Sequence, residues 1–387
     1  MVMKRVIVCF DGTWNDADDG DGETNVARSA QAIHGTNTRS GTQQVVLYLR
    51  GVGTAGSRLA RAYGGATGFG IEDTIQAGYR FLAQNYQPGD EIYLFGFSRG
   101  AYAARSCAGM MSACGLLKRQ SLGHLHAAWA YYREANPRRP AEFVSQTGAA
   151  SHLDVEIRCL GVWDTVGRLG VPLGPLPFAM ASRYSFHDTT PSRIVRNGFH
   201  ALAIDEHRDE FVPTLWTGEV PDRCTIEQVW FPGAHANVGG GYRSAGLSDI
   251  ALRWMAGRAQ AVGLELDQAM LPDEARCDPL APQHDPRKGL FLPDQWTPTL
   301  RVIGGQVRFK TSMLERVYEP RAADGTPLPT INEQIHPSAI ARLGKSVQVL
   351  MGDAEEVQRE LVYEPKPLRS VIGQRLRLRE PLRLASL

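Results

Sequence analysis

Ser98 lies in Gly96-Phe97-Ser98-Arg99-Gly100, the G-x-S-x-G spacing that presents a nucleophilic serine on a sharp strand-to-helix turn. The two glycines matter because such a turn leaves no room for side chains there. The strained backbone at the serine makes its hydroxyl stand clear. Pentapeptides of this form arise by chance, so the flanks carry the weight. Ile92 to Phe95 reads as a buried strand, and Ala101, Ala103 and Ala104 favour a helix packed closely behind it. The bland alternative is a serine that only caps that helix.

A serine hydroxyl is a poor nucleophile at neutral pH and needs a base, usually histidine, oriented by a carboxylate. In open α/β sheets the reactive groups gather in loops at the carboxyl ends of strands. Ser98 follows a strand at 92–95, Asp164 follows one at 155–163, and His235 follows one at 227–231. The order Ser, Asp, His is the one α/β-hydrolases use. Asp205, in Ile204-Asp205-Glu206-His207-Arg208, is the alternative acid, but its charged neighbours can neutralise it. Asp164 is preferred because apolar residues on both sides suit a partly buried, orienting carboxylate.

Among the histidines, His235 alone follows a strand directly and leads into a glycine-rich stretch. His207 is the other one in a charged, site-like segment. His34, His124, His126, His152, His187, His200, His284 and His336 are expected on helices or polar loops. An oxyanion hole needs two converging backbone N–H groups. Arg99 supplies one, and the loop after the first strand supplies the second through Gly12 or Thr13.

These residues need a scaffold, and the chain alternates strand and helix signals that provide one. Strands are expected at 4–10, 44–49, 92–95, 155–163 and 227–231, and helices at about 71–85, 122–135, 197–205 and 247–261. This is an α/β pattern: a mainly parallel central sheet with helices on both faces and loop or lid insertions. Residues 1–350 read as one catalytic domain with insertions at about 168–192, a candidate lid, and at 271–300, a Pro- and Asp-rich surface excursion. Residues 351–387 read as a basic C-terminal extension. Its last 22 residues hold six Lys or Arg against one Glu. The alternation from Arg375 to Arg379 suits an edge strand, a solvated tail or contact with an anionic membrane surface.

The 387 residues, 43 % hydrophobic and 21 % charged, are ordinary for a soluble globular chain. A net charge of +1 gives no reason to expect nucleic acid as a partner. The six scattered cysteines suit reduced core thiols. The N-terminal apolar run is too short for a signal peptide and no window suits a membrane span, so a cytoplasmic protein is expected, with signal-less export left open. No metal-ligand set such as H-E-x-x-H occurs, and Gly65-Ala-Thr-Gly-Phe-Gly70 is not a dinucleotide fingerprint, so neither metal nor cofactor is expected. Phe10-Asp11-Gly12-Thr13 matches half of a D-x-D-G-T phosphatase loop, but Cys9 stands where that chemistry needs its aspartate.

Several segments together resemble the DUF2235 family, the α/β-hydrolases that include the Tle1 type of phospholipase effectors of bacterial type VI secretion systems. They are Phe10-Asp11-Gly12-Thr13-Trp14-Asn15, Gly51-Val52-Gly53-Thr54, Gly96 to Tyr102, Gly161 to Gly167 and Pro232 to Tyr242. The resemblance spans roughly residues 4–345. It implies a metal-independent ester hydrolase acting on lipids or phospholipids, with Ser98 as nucleophile, His235 as base and Asp164 as acid. Secretion or immunity partners would accompany an effector. The family's His-x-Asp-Val-Gly-Gly-Gly-Tyr has Asn237 here in place of the Asp. The alternatives are a carboxylesterase or thioesterase acting on small soluble esters, and a catalytically silent scaffold used for binding.

Overall fold

The computed structural model describes residues 3–12, 22–35, 38–51, 70–134, 138–167, 189–286, 297–304, 309–322, 324–351, 357–378 and 383–386. Seven strands make the central sheet: β1 (Arg5–Phe10), β2 (Gln44–Leu49), β3 (Glu91–Phe97), β4 (Ile157–Trp163), β5 (Asn197–Ala203), β6 (Thr225–Phe231) and β7 (Glu333–Ile335). Their spatial order is β7-β6-β5-β4-β3-β1-β2, and every neighbouring pair runs parallel.

Parallel strands need crossovers that cover both faces, so they are apolar on both sides. In β1, Val6, Val8 and Phe10 face one core while Ile7 and Cys9 face the other. The first core is closed by α2 (Ile71–Asn85), α3 (Arg99–Cys114) and α4 (Leu125–Glu134). The second is closed by α1 (Asn25–Ala32) and α5 (Gly246–Ala261). All six cysteines are free thiols. No helix among the described residues is long and apolar enough to cross a membrane.

The segment 197–203, expected as a helix, is strand β5, hydrogen-bonded between β4 and β6. A short run such as Gly198-Phe-His-Ala-Leu-Ala203 has no period that separates a buried strand from a buried helix, and its place inside the sheet decides. His200 is therefore a buried strand residue rather than a helical one.

Of the expected lid at 168–192, residues 168–188 lie outside the described residues, as do 287–296 of the 271–300 insertion. The rest of that insertion is not a surface excursion throughout. Gln283–Asp285 pairs with Ser346–Met351, Thr299–Arg301 pairs with Arg316–Tyr318, and His284, Thr299 and Leu300 are buried. Strands of three residues are too short to display an alternating pattern.

The described residues of the 351–387 segment pack into the fold. Val357–Val362 pairs antiparallel with Ser346–Met351, and α6 (Lys366–Leu378) follows. Tyr363 and Leu368 join a third core around Trp230 and Ile335. Arg375 to Leu378 are thus helical rather than an edge strand, and Lys366 and Arg369 pair with Glu315 and Glu364.

Candidate active site

Ser98 sits between β3 and α3 with φ 58 and ψ −122, a conformation that residues with a Cβ rarely adopt. Such a backbone costs of order 1–3 kcal/mol and persists only where its surroundings impose it. They do so here. Ser98 N donates to Trp163 O at 3.0 Å. A Cβ at Gly96 would come within 2.5 Å of Gly100 O, and one at Gly100 within 2.1 Å of Phe10 O. The glycines are therefore required by close packing, which presses the start of α3 onto the end of β1.

Asp164, just past β4, is also in the left-handed region at φ 36 and is fully buried. Its backbone N donates to Ala201 O at 2.7 Å, and its Oδ1 accepts from Ala203 N at 3.0 Å. Its Oδ2 lies 2.6 Å from Nδ1 of His235, which opens the short helix His235–Gly239 after β6. The imidazole is held by two aromatic rings. Phe97 lies 4.6 Å away at a tilt of 33°, and Phe211 lies edge-on at 4.8 Å.

A carboxylate at Nδ1 places the proton on that nitrogen and leaves the lone pair on Nε2. His235 Nε2 is buried and has no hydrogen-bond partner among the described residues. The structure thus brings His235 and Asp164 into contact. Ser98 is one residue from Phe97 beside the same imidazole, without a Ser98–His235 hydrogen bond. Such bonds are commonly long until substrate is bound.

Charge around this pair is layered. Arg301 grips both oxygens of Asp164, at 2.7 Å to Oδ1 and 3.0 Å to Oδ2. Burial by itself would raise the Asp164 pKa; the Arg301 charge and the His235 bond outweigh it and hold the carboxyl below the usual range. Burial pushes the His235 pKa down, against the pull of Asp164, so the ring is neutral at pH 7.

Glu206 accepts from His235 N at 3.3 Å and from Arg208 through both of its oxygens. Burial opposes its ionisation, but Arg208 holds its pKa down to about 2. Arg208 in turn stacks on Phe211, with its guanidinium carbon 3.6 Å from the ring centre.

Asp205 faces elsewhere. Its Oδ2 accepts from Gly233 N at 2.6 Å and from the Tyr363 hydroxyl at 2.9 Å, so it ties the loop before His235 to the C-terminal segment. Gly12 N donates to Asp11 Oδ1 at 2.6 Å, while Thr24 and Tyr48 donate to Asp11 Oδ2. That N–H is directed at a carboxylate, and Thr13 lies outside the described residues. Arg99 is the first residue of α3, where backbone N–H groups point out of the helix end.

Asn237 Oδ1 accepts from Ala234 N at 3.2 Å and from His284 N at 2.9 Å, bonds that an Asp would also accept. Sequence reading missed Arg301, Glu206, Arg208 and Phe211. The cue at Arg301 was a lone cation among the apolar residues Leu300, Val302 and Ile303. No cluster of three or more candidate metal ligands occurs among the described residues.

Residues 4–258 match the family model of the type VI secretion phospholipase effector Tle1-like catalytic domain. The chain is 28% identical over 237 residues to the uncharacterized protein YEL023C of Saccharomyces cerevisiae, covering 55% of this chain and 33% of that one. It therefore spans about a third of the length of that curated relative. Among solved structures, it is similar to an uncharacterized protein from Pseudomonas aeruginosa, with TM-score 0.41, 18% identity and coverage of 71% of this chain and 48% of that one. It is similar also to the Tle1 effector bound to the VgrG spike of the type VI secretion system, with TM-score 0.38, 20% identity and coverage of 63% and 52%. A third likeness is to apo Thermogutta terrifontis esterase 2, with TM-score 0.32, 13% identity and coverage of 70% and 86%.

Proposed function

This chain belongs to the Tle1-like phospholipase effector catalytic-domain family, and from that membership we propose that it is a serine ester hydrolase whose nucleophile, base and acid are Ser98, His235 and Asp164. The observation that carries the assignment is the buried 2.6 Å contact between His235 Nδ1 and Asp164 Oδ2, which leaves Nε2 as the basic nitrogen.

In the proposed reaction Nε2 takes the Ser98 proton as Oγ attacks the acyl carbon, and the imidazolium is stabilised by Asp164. The N–H of Arg99, at the start of α3, receives the developing oxyanion. Collapse expels the alcohol, which takes its proton from His235. Water then clears the acyl-enzyme by the same steps in reverse.

The substrate we infer is a lipid or phospholipid ester, and membership in an effector family implies a secretion partner that delivers the protein. A fluorophosphonate probe should label the purified chain at Ser98 and leave Ser98→Ala unlabelled. Equal behaviour of the two proteins overturns the hydrolase reading. Release of fatty acid from phosphatidylcholine vesicles should exceed that expected from turnover of p-nitrophenyl butyrate. Turnover of the soluble ester alone points to the small-ester alternative.

A further inference from the structure

Arg301 lies well beyond residue 258, where the family match ends, yet its side chain is among the most deeply buried in the molecule. An unpaired guanidinium in such a place costs several kcal/mol, so its partners matter. Nη1 donates to Asp164 Oδ1 and to Ala203 O, each at 2.7 Å, and Nη2 donates to Asp164 Oδ2 at 3.0 Å and to Phe211 O at 2.5 Å. Ala203 N in turn donates to Asp164 Oδ1, so carboxylate, strand end and guanidinium form a closed ring. Phe211, held through its carbonyl, sets its ring edge against His235.

We propose that Arg301 is a positioning residue of the ester-hydrolase site. It fixes the rotation of Asp164 and the seat of the imidazole at once, and it makes the chain beyond the family-matched residues a working part of the catalytic centre. This inference rests on the function proposed above. A planar fork suits the task because two parallel N–H bonds define the carboxylate plane, which a single ammonium cannot do.

The cation has a second effect. His235 is faced by Asp164 from the end of β4, by Glu206 and Arg208 from the segment after β5, and by Phe97 from β3. Arg301 offsets the Asp164 charge that favours imidazolium. Without it Asp164 acts on the ring unopposed, and His235 keeps its proton to higher pH.

The test uses the full chain as wild type, Arg301→Gln and Arg301→Lys, each titrated with a fluorophosphonate so that rates refer to active molecules. The ester is p-nitrophenyl butyrate. Arg301→Gln should lower kcat about 10–100-fold with KM little changed. It should also move the acid limb of kcat/KM upward by about one pH unit. Arg301→Lys keeps the charge without the fork, so its kcat should fall while the limb stays near that of wild type. A merely structural role would remove active molecules and leave the limb of the survivors unmoved.

A folded Arg301→Gln with kcat within about twofold of wild type and an unmoved limb overturns the proposal. If Arg301→Gln does not fold, Arg301→Lys decides, and an unchanged kcat there overturns it equally. A wild type that is not labelled at Ser98 overturns the underlying hydrolase reading instead, which keeps the two failures apart.

Discussion

The ring of Phe97 lies 4.6 Å from the imidazole of His235, so the residue immediately before Ser98 forms a wall of the pocket that seats the histidine. The end of β3 thereby contributes both the strand-to-helix elbow at Gly96–Gly100 and the surface that limits how far the ring can turn. Phe97→Leu keeps an apolar side chain but loses that flat wall. It should lower kcat about tenfold and shift the unfolding midpoint by a few degrees. Phe97→Ala should destabilise by about 3 kcal/mol or more, measurable by chemical denaturation, because it opens a cavity between β3 and the His235–Gly239 turn.

The two candidate carboxylates should separate cleanly. Asp164→Asn presents an amide to Nδ1, favours the wrong tautomer and leaves Arg301 buried without its counter-charge. Activity should fall by about 10⁴-fold. Asp205→Asn disturbs the hydrogen bonds to Gly233 N and the Tyr363 hydroxyl. It should cost about 1–3 kcal/mol in stability and less than about tenfold in kcat. Steady-state kinetics beside thermal unfolding of both variants checks this, and the opposite ranking would transfer the acid role to Asp205.

Close packing at the elbow makes a sharper forecast than its sequence motif does. A methyl group at Gly100 would meet the Phe10 carbonyl at 2.1 Å, and backbone cannot yield there without moving β1 or α3. Gly100→Ala should destabilise by about 3 kcal/mol or accumulate as insoluble protein. Gly257, inside α5, faces open space, so Gly257→Ala should raise stability by about 0.5–1 kcal/mol. Melting temperatures of the pair provide the comparison.

Acid should act on rate and stability through different groups. As the proposed base His235 must be neutral, and its pKa is lowered by burial, so kcat/KM should hold to below the ordinary histidine value of about 6.5 and fall only at lower pH.

His200 governs stability in an overlapping range. Burial, reinforced by the nearby Arg105 charge, pushes its pKa down to about 3, and its Nε2 accepts from Thr165 N, which requires the unprotonated nitrogen. The unfolded chain binds a proton at this residue below about pH 6.5, while the folded chain does not until about pH 3. Stability therefore decreases as pH falls across that window. Denaturant midpoints at pH 7.5, 5.5 and 4.5 should decline in that order, and His200→Gln should flatten the decline.

Much of the architecture was legible in the residues themselves. Apolar runs bounded by turn residues located β1, β2, β3, β4 and β6, and the period of Ile71–Asn85 located its helix, because these signals are local to a few residues. The placement of Ser98, Asp164 and His235 after strand ends followed from the same local reading combined with the rule for open sheets. The family match extends over residues 4–258.

Tertiary structure decided what local signals cannot carry. Asp164 was expected past a strand and Asp205 at a helix end; in the fold both follow strands, β4 and β5, and the side-chain contacts give His235 to Asp164 while Asp205 turns to Gly233 and Tyr363. The same holds for 197–203, whose conformation is set by its neighbours in the sheet, and for Arg301, which meets Asp164 across 137 positions of chain. A pairwise contact at that separation leaves no periodicity and no turn chemistry in the sequence. Its free energy exists only once the folded backbone has brought a buried cation and a buried carboxylate together and excluded water from both.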